Sequence, residues 1–360
     1  MFIKNTWYVA AWSHEVKAGE MFARTITSIP IVMFRAADGA IRALHDRCPH
    51  RGAPLSKGRI EGDAVRCMYH GLRFESNGAC SQIPGSDRIP PAACVRAFPV
   101  VERNKWVWIW MGDPAAANPA LIPDTFWLDS PNWRYQPDYI HYNVSHLLIA
   151  DNLLDFSHLP FLHETTLGGS AGYAEGRAKV DRLDNGVRIT RWFENGPPAP
   201  FVHRLTGWET NVDRWNIYDF LLPGVLLMDS GSAPVGTGAT DGHRDHAVQF
   251  RSAQALTPET ENSSHYFFSQ AHNFALDDPG VTATLHGQVV AAFKEDWDMI
   301  HAQHASLALD PEFRMMPLPI DNALGHYRWL VNKKIKAEET ATAATTTSTA
   351  PMVKTVSVLA

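Results

Sequence analysis

Two short stretches of the chain, Cys48-Pro49-His50 and Cys67-Met68-Tyr69-His70, each offer one thiol and one imidazole, with sixteen residues between them. The fold has to bring those two loops together on a stiff framework, because four soft donors presented two by two make a metal site. Such a framework is available. Residues 1–112 carry short β-like runs at 31–35, 41–45, 64–68 and 106–111, broken by turn residues, so this part reads as all-β. Residues 1–11 hold one lysine and the aromatic run Trp7-Tyr8-Val9 in place of an apolar stretch with a small-residue cleavage site. No run approaches the roughly eighteen apolar residues needed to cross a bilayer. The expectation is a cytoplasmic protein without membrane contact, in which the four cysteines are thiols or ligands and not disulfides.

The pairing within each loop separates two metal chemistries. Structural zinc sites usually place cysteine with cysteine in one knuckle and histidine with histidine in the other, whereas each loop here has one of each. The mixed pattern suits a [2Fe-2S] cluster in which one iron takes the thiolates of Cys48 and Cys67 and the other takes the imidazoles of His50 and His70. That ligand set raises the reduction potential above that of an all-cysteine cluster. Gly52 and Gly71, inside the loops, let backbone amides come close to the cluster sulfurs. Cys80 and Cys94 fall outside both loops and read as small core residues.

At 360 residues, with 45% apolar content and twelve tryptophans, the chain can bury a core larger than one small β domain needs, which implies a second domain. The segment 113–124, with three prolines and no periodicity, reads as the linker. Beyond it, 125–333 is α+β, with helices expected at 147–162 and 281–309 and strands at 187–193, 215–222 and 246–255. Residues 334–360 turn charged and then Ala/Thr-rich, and read as a disordered tail without catalytic work. A net charge of −6 gives no field for phosphate backbones, so nucleic acid is not an expected partner.

A second constellation lies in this half. His158 and His163 stand five apart in an apolar, helix-like run. Five residues advance a regular helix by about 500°, leaving the two rings roughly 140° apart, so a straight helix would not aim both at one metal. Pro160, between them, can bend or end the helix and let them converge. Taken alone, the pair reads better as two satisfied buried histidines. A third donor changes that. On a wheel centred on Val289, the positions Leu285, Phe293, Asp296, Trp297 and Ile300 fall within about 80°, so Asp296 lies in an apolar stripe, where a carboxylate is costly unless paired or metal-bound. Glu295 and Asp298 fall outside the arc and read as solvated. Two histidines and one carboxylate form a facial triad that leaves iron positions open.

These motifs resemble those of the Rieske non-haem iron oxygenases. Residues 48–56 and 67–72 are similar to the family's cluster loops, and Pro84-Gly85 to the proline loop that covers the cluster. The pattern 152–163 is similar to the mononuclear iron motif, and Lys294-Glu295-Asp296 to the segment bearing its carboxylate. Residues 5–10, 101–103, 108–110, 228–234 and 256–260 extend the resemblance over nearly the whole chain, toward the subgroup of vanillate and dicamba O-demethylases and toluenesulfonate methyl-monooxygenase. The resemblance implies a catalytic domain with a central antiparallel sheet of the helix-grip type, one [2Fe-2S] cluster and one mononuclear Fe(II) per subunit, and a homotrimer without a second kind of subunit. It also implies a reductase or ferredoxin as electron donor, with electrons passing between subunits through His70, Asp155 and His158, and O2 as co-substrate. Asn152 and Asp155 are the candidate catalytic side chains beside the ligands, Asp155 having capping of a local turn as its simpler role.

The reaction so implied is hydroxylation of a methyl or alkyl group on a small aromatic compound. A methyl on oxygen or nitrogen then leaves as formaldehyde, and an aryl methyl becomes an alcohol. An anionic substrate needs a cationic anchor, for which Arg204, His203 and Arg251 are candidates, whereas a neutral anilide or ether needs only an apolar pocket and one or two hydrogen bonds. Ring dihydroxylation is the rival within the family. Outside it stand a Rieske electron carrier, which leaves Asp296 and the histidine pair unused, and a zinc-dependent binding module.

Overall fold

The computed structural model describes residues 1–164, 166, 178–198 and 200–348. Its first eleven strands form three small antiparallel sheets: β1 (Trp7–Trp12), β11 (Trp106–Trp110) and β10 (Val100–Arg103) in one; β2 (Met21–Ile26), β3 (Ile29–Arg35), β4 (Ile41–His45) and β9 (Ala97–Phe98) in the second; β5 (Arg59–Glu61), β6 (Ala64–Arg66), β7 (Arg73–Glu75) and β8 (Cys80–Gln82) in the third. The third sheet carries both metal-ligand loops at one end. β1 and β11 are buried along their whole lengths, which is why they read as continuous apolar runs without alternation.

The two faces of β1 serve different cores. Tyr8, Ala10 and Ala11 pack with Ile31, Met33 and Ile109 inside the first domain, while Trp7, Val9 and Trp12 pack with Trp106, Trp108 and Trp110 against Ala253, Ala255 and Phe267. A register shift between Val9 and Ala11 returns Trp12 to the face of Trp7 and Val9. Much of the chain's tryptophan is thus spent joining the two halves. The proposed linker crosses beside this cluster through two 3-10 turns, Pro114–Ala116 and Pro119–Leu121. Asp113 and Asn118 cap them, each with proline at the start where no N–H is missed.

The second half is built on a seven-stranded antiparallel sheet in the order β12 (Pro137–Tyr142), β18 (Ser263–His272), β17 (Val248–Thr260), β16 (Val225–Pro234), β15 (Val212–Leu221), β14 (Gly186–Gly196) and β13 (Lys179–Leu183). Alternation assigns the faces. Ala253, Ala255 and Phe267 face the first domain. Val187, Ile189, Tyr218, Phe220, Leu226, Leu256, Tyr266 and Phe268 face the helices His146–Leu154, Pro279–Leu309 and Asn322–Ser348.

Two expectations are corrected. Residues 147–162 are not one helix with a bend at Pro160. The helix His146–Leu154 ends at Asp155, whose backbone is extended (φ −128°, ψ 100°), and a 3-10 turn Phe156–His158 leads into a second short helix, Leu159–Leu162. Pro160 sits in the first turn of that helix, where its missing N–H costs nothing, so the break comes from Asp155 capping the turn that follows. The second correction concerns residues 334–360: the helix from Asn322 runs through that start as far as Ser348. Ile335 packs on the catalytic core, and the Glu338 carboxylate accepts the backbone N–H groups of Lys4 (2.8 Å) and Asn5 (2.9 Å). Partners more than 300 residues away hold a segment that its own composition would leave unordered.

Candidate functional site

The two ligand loops are built alike. In each, the glycine four residues after the cysteine donates its N–H to the cysteine carbonyl (Gly52 to Cys48 and Gly71 to Cys67, both 2.9 Å), and each cysteine N–H reaches the carbonyl five residues on (Ala53 and Leu72, both 2.8 Å). Closing that turn takes a left-handed residue, with φ of +71° at Gly52 and +77° at Gly71. The result is a matched pair of thiols, Cys48 and Cys67, buried at the loop bases, and a pair of exposed imidazoles, His50 and His70, at the tips, 4.4 Å apart between ring centroids. Two buried sulfurs beside two outward nitrogens fit a cluster with one thiolate-bound and one imidazole-bound iron. Asp46 supports the first loop by accepting the N–H (2.7 Å) and hydroxyl (2.5 Å) of Ser56, a role its position two residues before a ligand did not advertise.

Pro84 covers the second loop so closely that a Cβ at Gly71 would lie 2.7 Å from its ring. Gly71→Ala therefore meets both a positive φ and a collision. The expected outcome is a loss of about 1–3 kcal/mol in stability, together with faster bleaching of the cluster absorbance in air. Unchanged bleaching would show that the proline loop does not depend on this contact. Of the remaining cysteines, Cys80 is half-buried against the core beneath the loops, whereas Cys94 is exposed and not the core residue expected.

His158, His163 and Asp296 come together from two segments of the chain. Their ligand atoms lie within 4.8 Å of one another, with Asp296 Oδ1 at 3.5 Å from His158 Nε2 and 3.3 Å from His163 Nε2. Each imidazole has its other nitrogen taken: His158 Nδ1 donates to the Asp155 carbonyl at 2.5 Å, and His163 Nδ1 donates to Glu295 Oε2 at 2.7 Å. Those bonds put the protons on Nδ1 and turn both Nε2 lone pairs toward a carboxylate oxygen. Lone pairs facing a buried carboxylate repel unless a cation sits among them, so the donor set fits a divalent metal. Three protein donors leave positions open for O2 and substrate, as in Fe(II) oxygenases.

Asp296 is 5% exposed on the buried stripe of Pro279–Leu309 together with Ala292, Phe293 and Ile300, as the helical wheel required. Asn152 donates Nδ2–H to its Oδ1 at 2.8 Å and so fixes the carboxylate. Asp155 accepts the Ser157 N–H at 2.8 Å and the Ser157 hydroxyl at 2.9 Å, which is the capping role. Glu295 departs from the solvated position assigned to it, because the wheel of one helix does not show a ligand arriving from another element at its flank.

The cationic anchors are not gathered at the triad. His203 and Arg204 are exposed on the helix Pro200–Thr206. Arg251 pairs with Asp229 at 3.1 Å and lies over the Trp127 ring, on the sheet face opposite the triad. The register places a different set of polar side chains on the triad's side. Tyr218, whose ring stacks on Phe156 at 4.5 Å, pairs with Met228, and the next row outward on that face pairs Asn216 with Ser230.

Comparison with known proteins agrees with both centres. Residues 6–99 match the Rieske [2Fe-2S] domain, and residues 142–337 match the vanillate O-demethylase oxygenase C-terminal domain. The chain is 49% identical to the toluene-4-sulfonate monooxygenase system iron-sulfur subunit of Comamonas testosteroni, over 95% of this chain and 100% of the relative. It is 36% identical to the dicamba O-demethylase oxygenase component of Stenotrophomonas maltophilia, over 84% and 88% respectively. The crystal structure of dicamba monooxygenase bound to 3,6-dichlorosalicylic acid superposes with a TM-score of 0.84 at 33% identity, covering 94% of this chain and 99% of that one. With a [2Fe-2S] domain, a two-histidine-one-carboxylate centre and relatives of this similarity along its length, the chain belongs to the Rieske non-haem iron oxygenases, as the oxygenase component of a multicomponent monooxygenase.

Proposed function

We propose that this oxygenase hydroxylates a methyl or alkyl group on a small aromatic compound that carries a polar or anionic head. The observation that carries the reading is the sheet face across from the triad. It is apolar at Ile189, Tyr218 and Met228, and it turns polar one row further out at Asn216 and Ser230. A ring lying on the first row keeps its alkyl group near the triad and gives its head hydrogen-bond donors in the second. The 49% identical relative is named for toluene-4-sulfonate, a compound with that division of character.

In this reading His158, His163 and Asp296 hold the mononuclear iron, and Cys48, His50, Cys67 and His70 hold the [2Fe-2S] cluster. The bound iron supplies activation of O2 with electrons that reach it from a reductase or ferredoxin by way of the cluster. The protein's own part is to keep Asp296 fixed through Asn152 and to present both Nε2 atoms from one side. Asp155 is the link between His158 and His70 of the partner subunit in a homotrimer. Supporting that placement, both cluster imidazoles point outward from their own chain. We place the working domains at 1–112 and 125–333 around the linker 113–124, in a protein of the cytoplasm.

The test supplies an electron donor and O2 to the iron-loaded protein with toluene-4-sulfonate, vanillate and a neutral N-alkyl anilide in parallel, and follows alcohol, formaldehyde and O2. Turnover of one or both anions, with the anilide at least about tenfold poorer in kcat/KM, is the expected result; that factor is the worth of one lost polar contact. Preference for the anilide removes the polar head from the proposal. A cis-diol product replaces monooxygenation with ring dihydroxylation.

A further inference from the structure

We infer that Glu295, the residue before the metal carboxylate, is a positioning residue for His163 and sets the affinity of the mononuclear site. This rests on the reading that His158, His163 and Asp296 hold the metal. Asp296 and Glu295 stand on one helix about 100° apart around its axis, and they divide the work. Asp296 points into the donor set, while Glu295 reaches around the flank to the far side of the His163 ring. There one oxygen, Oε2, accepts both His163 Nδ1–H and the Thr166 hydroxyl, each at 2.7 Å.

The two histidines are oriented by different means. The Nδ1 of His158 is held by a backbone carbonyl, a fixture that follows from the turn itself. His163 follows the last turn of Leu159–Leu162, with φ −109° and ψ 32°, past the point where helical geometry sets a side-chain direction. Its ring is 1% exposed, and its Nδ1–H donates to Glu295. A carboxylate on that nitrogen fixes the tautomer, stops rotation of the ring and pushes electron density toward Nε2, all of which strengthen a metal ligand. Thr166 donates to the same oxygen and its N–H closes a turn onto the His163 carbonyl at 3.2 Å, so the carboxylate and the ring are held from the same side. An ordinary surface glutamate keeps its carboxylate in water. This one is 30% exposed and spends an oxygen on a buried ring.

The experiment measures metal affinity without turnover. Protein stripped of mononuclear iron but retaining its cluster is titrated anaerobically with Fe(II), and separately with Co(II), whose visible absorption reports coordination. The variants are Glu295→Ala, Glu295→Gln, Thr166→Val and His163→Ala. Glu295→Ala is expected to weaken both metals by about 10–100-fold and to alter the Co(II) band, the range found when an outer hydrogen-bond partner of a metal histidine is removed. Glu295→Gln, whose amide oxygen still accepts from Nδ1–H but carries no charge, falls between that and the parent. Thr166→Val, which loosens the carboxylate without removing it, is expected to change affinity by less than about threefold. Cluster absorbance and melting temperature, unchanged across the set, separate positioning from a general loss of fold. If Glu295→Ala binds within twofold of the parent with the same Co(II) band while His163→Ala loses the metal, the inference falls and the metal site stands. If His163→Ala also binds normally, the metal assignment beneath it falls. Should Glu295→Ala not fold, an undiminished affinity in Glu295→Gln overturns the inference.

Discussion

Asp296→Ala lowers the iron content from about three to about two per chain, as the two ligand sets require, and reduces product formation to background while the visible spectrum of the [2Fe-2S] cluster is unchanged. The reasoning begins with burial. A carboxylate 5% exposed on an apolar helix face is an expense to the fold unless something cationic meets it. Asn152 answers one oxygen with one N–H, which is too little for a full charge, and no Lys or Arg ion pair to it is seen among the described residues. The metal therefore provides most of what makes Asp296 tolerable, and removing the carboxylate removes the only anionic donor of the triad.

The same reasoning fixes the sign of a second readout. Without metal, the alanine variant has lost a buried charge and melts no lower than the metal-free parent; with metal, the parent alone gains the binding contribution and the two separate. Asp296→Asn refines the result, since Asn keeps the volume and an oxygen for Asn152 while discarding the charge. Retention of about three irons and turnover within tenfold of the parent in the alanine variant would mean that His158 and His163 belong to some other, structural cluster of buried groups.

Much of this was readable in the sequence, for reasons that differ from residue to residue. The cluster loops are local: cysteine, histidine and a glycine at fixed offsets close a turn that needs no distant partner, so spacing alone was enough. Asp296 was found because a long amphipathic helix keeps its period, and the stripe at 293, 296 and 300 is the stripe the fold buries. The losses do not share one cause. Glu295 is defined by a ring on another element, which periodicity within one helix does not register. Arg251 is a strand residue whose face depends on register, and a shift of one position exchanges the two sides of the sheet. Strands β16 and β18 lie inside the sheet with neighbours on both sides, and their mixed sequences do not alternate in the way an exposed strand does. The helix beyond residue 334 was lost for a third reason. Its order comes from Glu338 meeting the amides of Lys4 and Asn5, the longest-range kind of information a sequence holds. At Asp155 the simpler of its two readings is the local one: an aspartate two residues before a serine is a turn cap, and the cap, not Pro160, breaks the helix.

That cap gives Asp155 two roles that one substitution can separate. Asn serves about as well as Asp in capping, so Asp155→Asn keeps an oxygen for the Ser157 N–H and is expected to alter stability by no more than about 0.5 kcal/mol. If capping were its whole function, turnover would be unchanged. As the proposed link, Asp155 reaches His158 through its backbone carbonyl, so its carboxylate has to accept an imidazole N–H of His70 of the partner subunit, and an amide in its place loses a charge-assisted bond worth about 1.5–3 kcal/mol. Applied to the step that moves electrons between the centres, that is a fall of about 10–150-fold, seen as slow reoxidation of the reduced cluster by O2 with substrate present. Reduction of the cluster by the donor proceeds at the parental rate, and iron stays at about three per chain, because neither depends on the link. Asp155→Ala adds the loss of the cap, about 0.5–2 kcal/mol of stability, without a further loss of rate. Parental reoxidation in Asp155→Asn would reduce Asp155 to the turn it caps and send the search for the inter-subunit path to another residue.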